Sequence, residues 1–294
     1  MKKIIIGSRG SDLALWQANF VKDELQKRGQ EVEIKVISTQ GDRIQHLSFD
    51  KMEGKGFFTK EIEAALLDKT IDLAVHSHKD LETTSPEGLV IAAVSYREDP
   101  SELLLIRNES VDNNEELGIK QNPIIGTSSA RRKSQLITFR DDIEIRDLRG
   151  NVGTRINKLR EGQYDAIVLA MAGVKRLDLD LSDLTISTLD PTLFIPCPAQ
   201  GVLGLQIREE DKELAKVLEE LNDTEVEKRI GIERGVLRNL DGGCQLPLGI
   251  YCDEEMTVHV AFAKEWEDGA EFNTYSAVDN PDIIKEILSD IQPQ

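Results

Sequence analysis

Cysteine is scarce in this chain of 294 residues, which has three, at Cys197, Cys244 and Cys252. So few thiols make no disulfide framework and fit a reducing compartment. Long apolar runs are missing too. The basic start Met1-Lys-Lys leads into only three isoleucines before Gly7, too short a run for a signal peptide. No run approaches the roughly 18 apolar residues of a membrane span. The expectation is a cytoplasmic protein without a membrane partner. Positive charge is also in deficit: 36 Lys and Arg stand against 54 Asp and Glu, a net charge of −18. Such a chain is a poor candidate for gripping nucleic-acid phosphates by bulk charge. Internal repeats, low-complexity tracts, a Walker A loop and a G-x-G-x-x-G turn are all absent.

Hydrophobic residues make up 39% of the chain, enough for real cores, and the length suits about two domains. The net charge hides an uneven partition. Residues 126–176 hold 11 Lys/Arg against 6 Asp/Glu, a local +5, whereas 209–294 hold 8 against 22, a local −14. The middle of the chain is basic inside an acidic protein.

The first two thirds alternate between strand and helix patterns. Strands are expected at Ile4–Ile6, Val32–Ser38, Ile71–Val75, Leu89–Val94, Leu103–Arg107, Pro123–Gly126, Ile143–Leu148 and Ala166–Ala170. One helix begins at a Ser11 cap and stops at Gly29; others cover 59–69, 129–139 and 152–161. Alternation of this kind implies βαβ units and mostly parallel sheets, here in two αβ domains joined near 96–102. From about 211 the texture changes. Helices over Asp211–Leu221 and Glu225–Leu240, short strands at Met256–Ala263 and Phe272–Val278, and a helix from Pro281 suit a small α+β domain.

Three groups of residues carry chemistry. The first is arginine. Arg131 and Arg132 follow the strand-to-helix turn Gly126-Thr-Ser-Ser, Arg149 and Arg155 flank another such turn, and Arg176 ends Ala172-Gly-Val-Lys-Arg. Arg9, in Gly7-Ser-Arg-Gly-Ser11, repeats the position. Loops at the carboxyl ends of parallel strands converge, and helix N-termini with guanidinium groups then bind anions. The second is Val75-His-Ser-His-Lys-Asp80, an acid and bases at a strand's end, suited to proton transfer and charge stabilisation. His76 and His78 lack the further ligands a metal needs, so no metal is expected. Spacing alone equally allows Asp80 to be a capping carboxylate. The third is Asp241-Gly-Gly-Cys244-Gln, a loop thiol open to chemistry, although a free cysteine is more often an inert core residue. Cys252, in an expected strand, fits that inert role.

In order along the chain, Ser8-Arg-Gly-Ser-Asp-Leu-Ala-Leu-Trp-Gln17, Gly54-Lys-Gly-Phe-Phe58, Asp72-Leu-Ala-Val-His-Ser-His-Lys-Asp80, Gly126-Thr-Ser-Ser-Ala-Arg-Arg132, Arg149-Gly-Asn-Val-Gly-Thr-Arg155 and Gly242-Gly-Cys-Gln245 resemble the porphobilinogen deaminase (hydroxymethylbilane synthase) family. The resemblance spans essentially the whole chain and implies an enzyme of tetrapyrrole biosynthesis. Such an enzyme joins four porphobilinogen molecules head to tail, releases ammonia each time, and finally adds water to give hydroxymethylbilane. It implies a covalent dipyrromethane cofactor on Cys244. It makes Asp80 the catalytic carboxylate that stabilises positive charge on the pyrrole as ammonia leaves. The acetate and propionate of each pyrrole would meet Arg9, Arg131, Arg132, Arg149, Arg155 and Arg176. Ser11, Lys51, Lys55, Lys79, Thr127, Ser128 and Ser129 are further donors, with Gly150, Asn151, Ala172 and Gln200 in the same binding loops.

The resemblance also implies an α/β fold of two domains like type II periplasmic binding proteins with a central cleft. Domain 1 would be 1–95 plus 195–212, domain 2 would be 101–190, and a C-terminal α+β domain 218–294. A cytoplasmic monomer with porphobilinogen as its small-molecule partner, and neither nucleic acid nor membrane, is expected. Several residues depart from the family pattern: His78, Glu82, Ser101-Glu102, Asp241, and Ala199 where a glycine usually precedes Gln200. His78 is a candidate to tune Asp80. Without the resemblance, a two-domain anion-binding protein and a phosphoribosyl-type transferase are rivals, and neither requires a pyrrole on Cys244.

Overall fold

A computed structural model describes residues 3–39, 59–240 and 246–291. In chain order the elements are β1 (Ile4–Ser8), α1 (Asp12–Lys27), β2 (Val32–Val36), α2 (Lys60–Leu67), β3 (Leu73–Ser77), β4 (Leu89–Val94) and β5 (Glu102–Arg107). Next come β6 (Ile124–Gly126), α3 (Ala130–Phe139), β7 (Glu144–Arg146), α4 (Val152–Arg160), β8 (Ala166–Ala170), α5 (Met171–Leu177) and β9 (Leu184–Leu189). The chain ends with β10 (Leu203–Arg208), α6 (Lys212–Glu219), α7 (Thr224–Asn239), β11 (Leu248–Cys252), β12 (Thr257–Phe262), β13 (Glu271–Ser276) and α8 (Ile283–Ile291). Contacts divide it into two units: residues up to Glu98 with Gln200–Lys228, and Asp99–Ala199 with Arg229 onward.

The first unit is a five-stranded sheet in the order β2-β1-β3-β10-β4. β1 runs parallel to β2 and β3, while β10 lies antiparallel between β3 and β4. α1 starts where the Ser11 hydroxyl accepts the Ala14 N–H, and it is followed by Gly29 at φ +75, a backbone that glycine adopts without strain. Its Ala18, Val21 and Leu25 lie at helical spacing and bury against Leu73, Val75, Leu203, Leu205 and Ile207. A buried ion pair joins β10 to the start of β3. Arg208 Nη2 lies 3.0 Å from Asp72 Oδ1, its Nη1 donates to the Leu66 and Ile71 carbonyls, and Asp72 Oδ2 accepts the Ile5 N–H.

The second unit repeats the pattern with the order β7-β6-β8-β5-β9. β6 is parallel to β7 and β8, and β5 is antiparallel between β8 and β9. In each sheet the reversed strand is the first one after a unit boundary: β5 after 98/99, β10 after 199/200. This shared strand order, with one reversed strand beside the third, is the type II periplasmic-binding-protein topology. The sheets are therefore mixed: four strands point one way and the fifth against them. β9, β10 and α5 were not foreseen. β10 hides because Gln206 and Arg208 interrupt its apolar run, yet both are buried with partners.

The second unit also holds the antiparallel sheet β11-β12-β13. Ile283, Ile287 and Ile291, one turn of α8 apart, pack with Val236, Ile250, Cys252, Val258 and Val260 in a core of their own. Cys252 is fully buried. No helix of the described residues is long and apolar enough to cross a membrane.

Candidate functional site

Because β1 and β3 are parallel neighbours, the loops that follow them leave the first sheet at one edge. After β1, the buried Ser8 hydroxyl donates to the Ala14 carbonyl at 3.0 Å and closes the turn that carries half-buried Arg9 and Ser11. β3 ends in a 3-10 turn, His78–Asp80, whose first N–H donates to the Val202 carbonyl. Asp80 emerges exposed at the end of that turn. Lys79 Nζ donates to Gln200 Oε1 at 3.1 Å, and the Gln200 carbonyl accepts Arg97 Nε at 2.9 Å. Gln200 is fully buried, so its amide fixes where the Lys79 ammonium sits.

Behind this edge runs a buried polar chain. His76 Nε2 meets Gln206 Oε1 at 3.1 Å, and Gln206 Nε2 donates to Glu63 Oε1 at 3.2 Å. With the Gln206 amide committed to Glu63, His76 is the donor to Gln206 and carries its proton on Nε2. Burial, then the charge of Arg9, push the His76 pKa down to about 4 against the opposing pull of Gln206. His76 is therefore a neutral imidazole at physiological pH, with its Nε2 engaged by Gln206. Among the described residues no group of three or more His, Cys, Asp or Glu is arranged to hold a metal. His78 is also buried, packed where a Cβ on Gly204 would lie 3.3 Å from its ring.

In the second unit β7, β6 and β8 are adjacent and parallel, so their three following loops share one edge. The loop after β6 carries Thr127, Ser128 and Ser129. The Ser128 hydroxyl donates to the Leu148 carbonyl and accepts the Leu148 N–H, pinning this loop to the one after β7. There Gly150 has φ +117, and a Cβ would stand 2.6 Å from the Thr154 methyl, so only glycine fits. Asn151 caps α4 through the Thr154 N–H, half-buried Arg149 precedes the turn, and Arg155 Nε donates to the Gly150 carbonyl at 2.8 Å. β8 leads into α5 with Ala172 and Arg176 buried.

Arg131 and Arg132, at the start of α3, are only 5% and 7% exposed. Both hold Glu102, which is fully buried. Arg131 Nη2 is 2.5 Å from Oε1, and Arg132 forks onto both oxygens at 3.1 and 2.6 Å. Arg131 Nη1 reaches the Ile195 carbonyl and Arg132 Nη1 the Val168 carbonyl. Glu102 arrives here because β5 is reversed: its first residue pairs with Ala170, the last of β8. Burial works against the charge on Arg131, and Glu102 with the Cys197 sulfur more than offsets it, so its pKa is raised.

The segment 195–199, with half-buried Cys197, is held from two sides. Gln135 donates to the Ile195 carbonyl at 2.9 Å and accepts its N–H at 2.6 Å. The fully buried Glu233 of α7 accepts the Ala199 N–H at 2.7 Å and the Cys252 N–H at 2.9 Å. Ala199 is left-handed at φ +59, a backbone that glycine adopts with less strain than alanine. Lys51, Lys55, Asp241 and Cys244 lie outside the described residues. Sequence reasoning missed Glu63, Gln135, Gln206 and Glu233 and saw Glu102 only as a departure. The partners described above are 19 to 143 positions away in the chain, and no local spacing signals them.

Two αβ units of type II binding-protein topology, each gathering hydroxyl and cationic groups at the carboxyl edge of its sheet, define a class of protein that handles small organic anions. A family model described as "Porphobilinogen deaminase, dipyromethane cofactor binding domain" matches residues 4–216. The chain is 41% identical to the porphobilinogen deaminase of Oceanobacillus iheyensis over 298 residues, covering 100% of this chain and 91% of that one. It is 45% identical to that of Bacillus cereus over 85% of this chain and 80% of the relative. To that of Maridesulfovibrio salexigens it is also 45% identical, over 87% and 82%. It belongs to the porphobilinogen deaminase family. Among solved structures, an amino acid ABC transporter substrate-binding protein from Streptococcus pneumoniae aligns at 14% identity and a TM-score of 0.40, over 81% of this chain and 90% of that one.

Proposed function

We propose that this protein is a hydroxymethylbilane synthase, a transferase that condenses four porphobilinogen molecules head to tail with loss of ammonia and then hydrolyses the product. The observation that carries the reading is that Arg131, Arg132, Arg149, Arg155 and Arg176 all lie in the loops and helices that directly follow three adjacent parallel strands, in a chain of this family. Each pyrrole brings two carboxylates, and guanidinium groups with helix N-termini suit them. In the other unit Arg9 and Ser11 add donors, and Gln200 holds Lys79 beside Asp80.

Asp80 is the catalytic group in this reading. Loss of ammonia leaves positive charge spread onto the pyrrole nitrogen, and a carboxylate beside the N–H lowers the energy of that charge. The same carboxylate helps deliver a proton to the departing amine. Its exposed place at the end of a short turn leaves it open to substrate. Lys51, Lys55, Thr127, Ser128, Ser129, Gly150, Asn151 and Ala172 complete the binding set. A polycarboxylate such as dipyrromethane fits the arginine loops, and Cys244 would anchor it. When bound, it supplies the primer to which new pyrroles are added.

The reading includes a division into domain 1 (1–95 plus 195–212), domain 2 (101–190) and domain 3 (218–294), supported by three separate sheets with separate cores. It also includes a cytoplasmic monomer acting without nucleic acid, supported on the last point by the net charge of −18. The test is the intact mass of the purified protein together with a colour reaction for pyrroles. The expected mass exceeds that of the bare chain by two linked pyrrole units, located on Cys244 by peptide mapping. A bare-chain mass under conditions that preserve the holoenzyme would overturn the reading.

A further inference from the structure

We infer that Glu102 turns the Arg131–Arg132 pair into a receptor for one singly charged carboxylate and sets it against dianionic oxyanions such as sulfate and phosphate. Two adjacent guanidinium groups alone would favour a dianion, because both charges could be neutralised at once. Here one carboxylate is already built in. It is fully buried and bonded to both arginines by three contacts between 2.5 and 3.1 Å. The cluster therefore carries one net positive charge. A ligand carboxylate brings it to neutrality, whereas a dianion leaves an uncompensated negative charge where water is scarce and Coulomb terms are strong. Discrimination by a repulsive group placed beside the attractive ones is a general device.

The geometry leaves donors for such a ligand. A guanidinium has five N–H bonds. Arg131 directs one to Glu102, one to Ile195 and one to the Cys197 sulfur, while Arg132 directs two to Glu102 and one to Val168, so each keeps N–H groups beyond these. Glu102 is fixed independently of any ligand, since it is the first residue of β5 and is paired on both sides, with Ala170 and with Leu189. The inference deepens the proposed function and rests on it for the ligand: a pyrrole's acetate and propionate are separate single charges. Glu102 acts through the arginines and is a positioning residue.

The test uses the full-length chain with Cys244→Ala, which leaves off the covalent pyrroles and keeps every residue of the cluster. The Nε–H signals of Arg131 and Arg132, assigned by Arg→Lys substitution in 15N spectra, are followed during titration with sodium acetate or sodium sulfate at constant ionic strength. Acetate should move them at lower concentration than sulfate. Adding Glu102→Gln should improve sulfate binding about tenfold relative to acetate, about 1.4 kcal/mol. Glu102→Asp, which keeps the charge, should retain the original preference even where it lowers stability. A purely structural Glu102 would not produce that split. Sulfate preferred over acetate in the Cys244→Ala chain overturns the inference, and does so even if the Glu102→Gln protein fails to fold. An unchanged ratio in folded Glu102→Gln overturns it as well. Failure of the functional reading shows separately, as a missing pyrrole mass on the unsubstituted chain.

Discussion

Removing the carboxylate of Glu233 should unfasten the segment that leads into Gln200, and the cost follows from two of its bonds. Glu233 is fully buried and accepts two backbone N–H groups, from Ala199 at 2.7 Å and Cys252 at 2.9 Å. Glu233→Gln keeps the volume but has one accepting oxygen, so one N–H then faces an NH2 group. The lost charge-assisted bond is worth about 1.5–3 kcal/mol and the stranded buried N–H about 1–3 kcal/mol more. A total near 4 kcal/mol corresponds to a fall of roughly 10 °C in Tm for a unit of this size. The chain has two tryptophans, Trp16 in the first unit and Trp266 in the second, so Trp16→Phe leaves a reporter of the second unit alone. Urea unfolding followed by Trp266 fluorescence should show the loss. The Trp266→Phe protein, reporting through Trp16, should show a smaller one. A loss below about 1 kcal/mol at Trp266 would mean that water or another donor replaces the carboxylate, and the argument from these two bonds would fail.

Three further outcomes are expected. Ala199→Gly should stabilise the protein by about 0.5–1 kcal/mol, because relief of about 1–2 kcal/mol of left-handed strain exceeds the extra entropy glycine loses; chemical denaturation showing a destabilised variant would contradict the φ of +59. His76, with its pKa lowered to about 4, binds protons in the unfolded chain before the folded one, so its share of stability is full above pH 6.5 and declines as pH falls toward 4. That share is about 3 kcal/mol, and in His76→Gln the slope of stability against pH between 6.5 and 4 should flatten, with an unchanged slope ruling His76 out. Asp80→Asn should keep its pyrrole mass and a KM within about threefold while kcat drops about a hundredfold or more, and a near-normal rate would remove Asp80 from its role.

Much of this architecture was legible in local pattern. Ser11 as a cap, Gly29 as a stop and the strands at Leu89–Val94 and Ala166–Ala170 follow from spacing, and the structure has each of them. The site loops were legible too, since Gly-Thr-Ser-Ser and Arg-Gly-Asn at strand ends mark helix N-termini whatever the topology. What local pattern lacks is direction. The apolar run marks β5 only from Leu103, one residue short, and nothing in Glu-Leu-Leu-Leu-Ile-Arg says that it runs against β8. Without that reversal Glu102 has no reason to meet Arg132. β10 was missed for a related reason: a fully buried strand next to two neighbours can carry Gln and Arg if their partners come from elsewhere. Spacing marks Arg131 and Arg132 as anion-binding groups, and the structure adds that they are buried and share one acid.

The reversed strands also explain how two sheets with different sequences solve the same problem. A parallel sheet sends only the carboxyl ends of its strands to the binding edge, so side chains there hang from loops with little beneath them. A reversed strand brings its beginning to that edge instead. In the second unit this places Glu102, rigidly paired on both sides, under Arg131 and Arg132. In the first unit Gln200 comes just before β10, whose Leu203 pairs with Ser77 at the end of β3, and the Gln200 amide takes the Lys79 ammonium. In both units a cation that follows a parallel strand is oriented by a buried acceptor at or just before the reversed strand. The acceptor is a charged carboxylate where Arg131 and Arg132 meet and a neutral amide where Lys79 stands. On this argument the useful charge at each edge depends less on how many basic residues its loops contain than on what the reversed strand places beneath them.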